Sequence, residues 1–185
     1  PILNEEQNLN KLLPQLRSQM IEGDEIIIVD GGSTDGSIKV ANSFKVQVVK
    51  SRKGRGYQIT KGMRFGLNPI VLILHADQKL ENNVLNRVRQ TMNNEQINGG
   101  CVGSIFESLD RGQWIIHVLN IFRARIMKIS FGDQGQFFRR SIWEREKWCL
   151  DMPLMEDVEL SLLLNNLSGE VCYLGGGLIS SVRRW

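Results

Sequence analysis

The ten residues from Val71 to Leu80, VLILHADQKL, run four apolar side chains straight into a histidine and, two positions later, a carboxylate. Asp30 ends the run EIIIVD in the same manner. Carboxylate and imidazole groups at such places hold cations, hydrogen-bond polar ligands or accept protons. An unpaired charge leaving a buried strand costs roughly several kcal/mol, so water, hydrogen bonds or a cation must offset it. A further acidic pair, Glu156 and Asp157 of MEDVEL, stands where a helix is predicted to start. There a carboxylate complements the helix dipole or caps the first turn, and it could equally serve as a base.

Two glycine-rich stretches accompany these acids. GGSTDG follows Asp30, and its glycines suit turn formation as well as phosphate binding. GRGYQITKG offers Gly54-x-Gly56 but no third glycine at the dinucleotide-fingerprint spacing, and G-x-x-x-x-G-K-[ST] does not occur. Rossmann oxidoreductases and P-loop ATPases are disfavoured.

The elements that must carry these groups follow from periodicity. Asn4 precedes a predicted helix through Leu9, Leu12, Leu13 and Leu16 to Met20, with Glu5 and Glu6 in its first turn and Pro14 leaving room for a kink. EIIIVD predicts a strand buried on both faces. A helix from Asp35 to Ser43, a strand from Lys45 to Lys50, a helix opened by Gly54-Arg55-Gly56 and a strand from Ile70 to His75 continue the alternation. The β-α-β-α-β order calls for right-handed crossovers and an α/β fold with a mostly parallel, Rossmann-like central sheet and helices on both faces. Ligands of such sheets bind beyond the carboxyl ends of the strands, where Asp30 and Asp77 both project.

Beyond Leu80 the pattern predicts a helix over 83–92, one strand over 99–106, an extended stretch over 135–139, a helix over 156–167 and two closing strands. In the 156–167 helix, Val158, Leu162, Leu163 and Leu167 are expected to face the core. Trp114, Val118, Phe122, Ile126 and Ile129 form a helical stripe read as core rather than as a membrane or partner surface, and His117 is given no chemistry.

The chain has 185 residues and a net charge of +3, with its basic residues dispersed, which fits one domain and argues against a nucleic-acid partner. Cys101, Cys149 and Cys172 are widely spaced, which disfavours a disulfide framework or a zinc site and fits a cytoplasmic setting. The longest apolar segment, 114–131, is interrupted by His117, Asn120, Arg123, Arg125 and Lys128 and does not read as a bilayer span. The chain opens at Pro1, and the expectation is of one domain over 1–185 that lacks a leading strand and its carboxyl end.

Taken together and in order, PILNEE, VDGGSTDGS, GRGYQITKG, HAD, GDQG and MEDVEL resemble the family 2 glycosyltransferases of the GT-A fold. The likeness is nearest to a bacterial subgroup carrying HAD where other members have D-x-D. It implies an inverting transfer of a sugar from a UDP-, GDP- or dTDP-linked donor to an acceptor hydroxyl, assisted by Mg²⁺ or Mn²⁺. It places Pro1, Leu3, Asn4, Glu5, Asp30 and Arg55 around the nucleotide, and Asp77, with His75 as a second candidate, on the metal. Asp157 would be the general base, with Glu156 as its alternate, and Asp133 and Gln134 would lie on the acceptor side. The acceptor itself is unknown, and peripheral contact with the inner face of a membrane is compatible with this reading.

His75 departs from the D-x-D pattern: it could ligate, reach a phosphate or pack, and the missing first acid removes charge from the site. Thr60 stands where the subgroup often has asparagine, and Arg183-Arg184-Trp185 resembles the R-W ending of a motif in processive relatives. Two rivals remain: a non-catalytic nucleotide-sugar binding module, and a sugar nucleotidyltransferase, which lacks support because no G-x-G-T-R-like loop is present.

Overall fold

A computed structural model describes residues 1–106, 118–146 and 155–180. Helix α1 (Glu6–Arg17) buries Leu9, Leu12, Leu13 and Leu16 along one stripe. Strand β1 (Ile27–Asp30), helix α2 (Ser37–Ser43), strand β2 (Gln47–Lys50), helix α3 (Arg55–Met63) and strand β3 (Ile70–Ile73) follow in the expected alternation. β1 and β2 pair in parallel, Ile27 with Gln47 through Asp30 with Lys50. The β-branched run at Ile26–Val29 explains this strand, because such side chains pack well on a pleated surface buried from both sides.

A short strand β4 (Gln78–Leu80) leads to helix α4 (Val84–Met92) and strand β5 (Ile97–Cys101). The single strand expected over 99–106 is divided into β5 and β6 (Ser104–Phe106). The break lies at Gly103, whose φ of +96° suits glycine and where a Cβ would come within 2.5 Å of the Tyr173 ring. Strand β7 (Gln136–Arg139), helix α5 (Arg140–Glu146), helix α6 (Glu156–Asn166) and strands β8 (Glu170–Tyr173) and β9 (Leu178–Ser180) complete the described chain.

The α/β layering agrees with expectation, and β7 makes the pairing mixed. It runs antiparallel to both β3 and β5, while β5 pairs in parallel with β8, in the order β3-β7-β5-β8. A third sheet joins β4, β9 and β6. One core cluster gathers the α1 leucines with Val40, Val84 and Leu178, and a second gathers Ile59, Met63, Phe138, Leu160 and Leu164.

Two expectations about faces are corrected. Within the helical stretch over 118–127, Val118, Phe122 and Ile126 are 41–62% exposed, so this part of the stripe is surface rather than core. Helical spacing defines a face but not what covers it. Trp114 and His117 lie outside the described residues. In α6 the inner face carries Asp157, Leu160, Ser161 and Leu164, while Leu162 is exposed. The rotation is set by polar anchors, since Gln136 donates through its side-chain amide to the Asp157 carbonyl and to Ser161 Oγ.

Among the described residues no helix is long and apolar enough to cross a membrane.

Candidate functional site

Asp30 stands at the carboxyl end of β1 and is almost fully buried. Its carboxylate accepts the backbone N–H groups of Gly32 (3.1 Å) and Ser33 (3.0 Å), which shapes the glycine-rich loop. Facing that loop, Asn4 adopts a left-handed backbone (φ +56°), receives the Thr34 N–H on Oδ1 at 2.8 Å and donates its own N–H to Ser33 Oγ. Glu5 donates its N–H to Ser37 Oγ at 2.7 Å. Ile2 bridges to Asp30, which sets Pro1, Leu3 and Asn4 along the same rim. The six candidates expected at the nucleotide divide accordingly: Pro1, Leu3, Asn4, Glu5 and Asp30 form one interlocked pair of loops, and Arg55 opens α3, the helix packed on β1.

Arg55 connects the two halves of the chain. Its Nε lies 3.0 Å from Glu156 Oε1, although the contact is not aligned as a hydrogen bond, and both Glu156 carboxylate oxygens are buried without a hydrogen-bond partner. Burial pushes the Glu156 carboxyl above the usual carboxylate range, and the neighbouring Asp157 adds to this, against the opposing pull of Arg55. A raised folded-state pKa contributes stability fully present below the unfolded pKa and lost as pH rises through the folded value. Glu156→Gln should therefore melt about 2–4 °C above the unaltered chain at pH 8, corresponding to roughly 1 kcal/mol, with the gap closing near pH 4 in a pH series of melting curves.

The turn Gly132–Gln134 brings the remaining candidates together. Gly132 donates its N–H to Asp157 Oδ2 at 2.7 Å, and the other carboxylate oxygen accepts the Val158 N–H at 2.8 Å. A Cβ built on Gly132 would lie 2.6 Å from His75 Nε2 and 3.4 Å from Asp157 Oδ2. The imidazole and the carboxylate thus converge on one glycine. Gly132→Ala should move both and cut any turnover at least about tenfold, since small displacements at a reacting centre are costly; kinetics beside an unchanged far-ultraviolet spectrum would check this.

His75 is buried at the end of the β3 segment, and Asp77, partly exposed, lies two residues on, in the turn before β4. Gln78 fastens this segment to the Gly132 turn: its Oε1 receives the His75 N–H and its Nε2 donates to the Asp133 carbonyl, each at 2.7 Å. Burial pushes the Asp133 carboxyl upward, with Arg123 and a hydrogen bond from Ser104 opposing and Asp157 reinforcing the shift. Gln134 turns inward instead, its Oε1 accepting the Phe131 N–H at 3.0 Å and an Arg123 contact at 3.4 Å.

Sequence reasoning missed Gln78, Arg123 and Gln136. Arg123 stacks 3.4 Å over the Phe131 ring. Gln136 donates to Ser130 Oγ, Ser161 Oγ and the Asp157 carbonyl from within a strand. A glutamine between glycine and two phenylalanines, GQFF, was the one available sign that a buried strand carries a polar anchor.

The Glycosyl transferase family 2 profile matches residues 1–145. The chain belongs to that family. No curated protein sequence matches it. Among solved structures, family 2 architecture is matched by S. aureus TarS 1-349, at TM-score 0.79 and 13% identity over 98% of this chain and 58% of TarS 1-349. The same TarS fragment in complex with UDP-GlcNAc matches at TM-score 0.78, 13% identity, 100% of this chain and 58% of that one. The mannosyltransferase PcManGT from Pyrobaculum calidifontis, in complex with GDP-Man and Mn2+, matches at TM-score 0.74 and 17% identity over 98% of this chain and 54% of that one. These likenesses show the GT-A fold, and the chain spans little more than half the length of each of these structures.

Proposed function

We propose that this family 2 domain moves a sugar from a nucleotide-diphosphate donor to an acceptor hydroxyl, with inversion and with a divalent cation assisting. The observation that carries this reading is the convergence of Asp157 and His75 on Gly132, with Arg55 reaching Glu156 from the nucleotide-side helix. Asp157 Oδ1 and Oδ2 each accept one backbone N–H and retain lone pairs for a further donor. The acceptor hydroxyl would give its proton to one of these oxygens as its own oxygen attacks the anomeric carbon from the face opposite the leaving diphosphate. A single displacement of this kind inverts that carbon.

Asp30 and Asn4 shape the loops that would meet the nucleotide, and Arg55 supplies positive charge near the phosphates. No group of three or more His, Cys, Asp or Glu side chains that could hold a metal ion occurs among the described residues. That suits a cation bound together with its substrate, because such ions take one or two protein carboxylates and complete their shell with phosphate oxygens and water. Asp77, with His75 as a second donor, would hold it. When bound, the cation neutralises charge building on the leaving diphosphate. The TarS complex with UDP-GlcNAc and the mannosyltransferase complex with GDP-Man and Mn2+ support this chemistry by analogy of fold.

Incubation with UDP-, GDP- and dTDP-sugars and Mn²⁺, followed by product analysis, tests the reading. Release of nucleoside diphosphate is expected. Release of pyrophosphate would identify a nucleotidyltransferase, and binding without turnover a donor-binding module.

A further inference from the structure

The largest cleft among the described residues, about 420 Å³, lies away from the acids. Leu9 and Leu13 of α1 and Ile59 and Met63 of α3 line it, together with β1 and β3. These residues come from the two different core clusters, so the cleft opens between both hydrophobic layers.

Its long edges are strand backbones. On β1, the Ile2 N–H donates to the Val29 carbonyl and the Ile2 carbonyl accepts the Gly31 N–H. In a strand, alternate residues direct their main-chain groups to the same side, so Ile27 faces the cleft as Val29 does, while Ile28 and Asp30 face β2. On β3, the Arg140 N–H donates to the Pro69 carbonyl across the antiparallel pairing with β7. Val71 and Ile73 therefore face β7, and Ile70 and Leu72 direct their main-chain groups to the opposite edge. That edge also borders the cleft. Ile2 alone bridges to β1 there, in parallel register opposite Asp30. Two facing rows of strand donors and acceptors form a template for one more strand.

We propose that the cleft seats an additional β-strand, an extended segment joined to the amino side of Pro1 and lying between β1 and β3, parallel to β1. The Ile2–Asp30 register puts Pro1 opposite Val29 and the three residues before it opposite Ile28, Ile27 and Ile26. Its side chains alternate between the α1 leucines and the Ile59–Met63 layer, both apolar, so the segment is apolar at every position rather than at every second one. The Pro1 nitrogen borders this cleft, where burial holds a free amine down to about 6. A peptide bond at that nitrogen carries no charge to desolvate. Seated in this way, the strand delivers Pro1, Leu3, Asn4 and Glu5 to their loop from a fixed support.

The test compares this 185-residue chain with two versions extended before Pro1, one by six Val/Ile residues and the other by the same segment with Asp at its two central positions. Melting curves and amide hydrogen exchange are recorded. The apolar extension should raise the melting point by about 5 °C or more and slow exchange at Ile70 and Leu72 at least about tenfold, whereas the Asp-interrupted one should do neither. Equal behaviour of the two extended chains would overturn the proposal, and this comparison stands even if the unextended chain fails to fold. A concentration-dependent dimer of the unextended chain that protects Leu72, and that the apolar extension does not dissolve, would give the cleft to a second copy and also overturn it.

Discussion

Asp157→Asn should lower the rate of sugar transfer by about 10³-fold, within the range ascribed to a positioned general base, while leaving the affinity for a nucleoside diphosphate unchanged. The amide keeps the shape of the carboxylate, and its oxygen can still accept the Gly132 N–H, so the turn and α6 should stay in place. What is lost is the ability to receive a proton. The measurement is a single-turnover rate beside a calorimetric titration. A rate within a factor of three of the unaltered protein would remove Asp157 from the chemistry and reduce its carboxylate to an anchor for the turn.

Asp77→Ala should abolish the part of nucleoside-diphosphate binding that depends on Mn²⁺, for an affinity loss of about 100-fold with metal and almost none without it. The size follows from deleting a charged ligand to a hard cation whose remaining ligands are phosphate oxygens, water and at most the His75 imidazole. Asp77 lies in a turn and is partly exposed, so truncation should leave the melting point of the free protein within about 1 °C. Equal metal dependence before and after the substitution would move the cation elsewhere. His75→Ala is the companion: a tenfold effect on metal affinity makes the imidazole a ligand, whereas a loss of stability alone makes it packing.

Much of the first half was legible because each element is specified locally. EIIIVD and PIVLIL are apolar at nearly every position, and the acids that end or follow them fall at the strand ends whatever the neighbouring strands do. The second half depends on partners distant in sequence. Strand β4 is only Gln78–Leu80, too short and polar to declare itself, and β7 finds its antiparallel place between β3 and β5 through pairings that no local pattern encodes. The stripe at Val118, Phe122 and Ile126 has clean helical spacing, yet these side chains are exposed. Helix α6 shows the opposite limit: its apolar residues surround the axis, so the choice of inner face fell to Asp157 and Ser161, whose partners on Gln136 and Ser130 belong to another segment. The same holds for the candidate site. That Asp157 and His75 both matter could be inferred from motif order, but that one glycine separates them could not.

Gln136 carries a lesson for anyone recombining these domains. Its single amide nitrogen spans the Asp157 carbonyl and the hydroxyls of Ser130 and Ser161, so the aim of the carboxylate is written into a strand twenty residues upstream. A graft that imports the acid-bearing helix from another scaffold, without the glutamine and the serine beneath it, would transplant the tool but leave its vice behind.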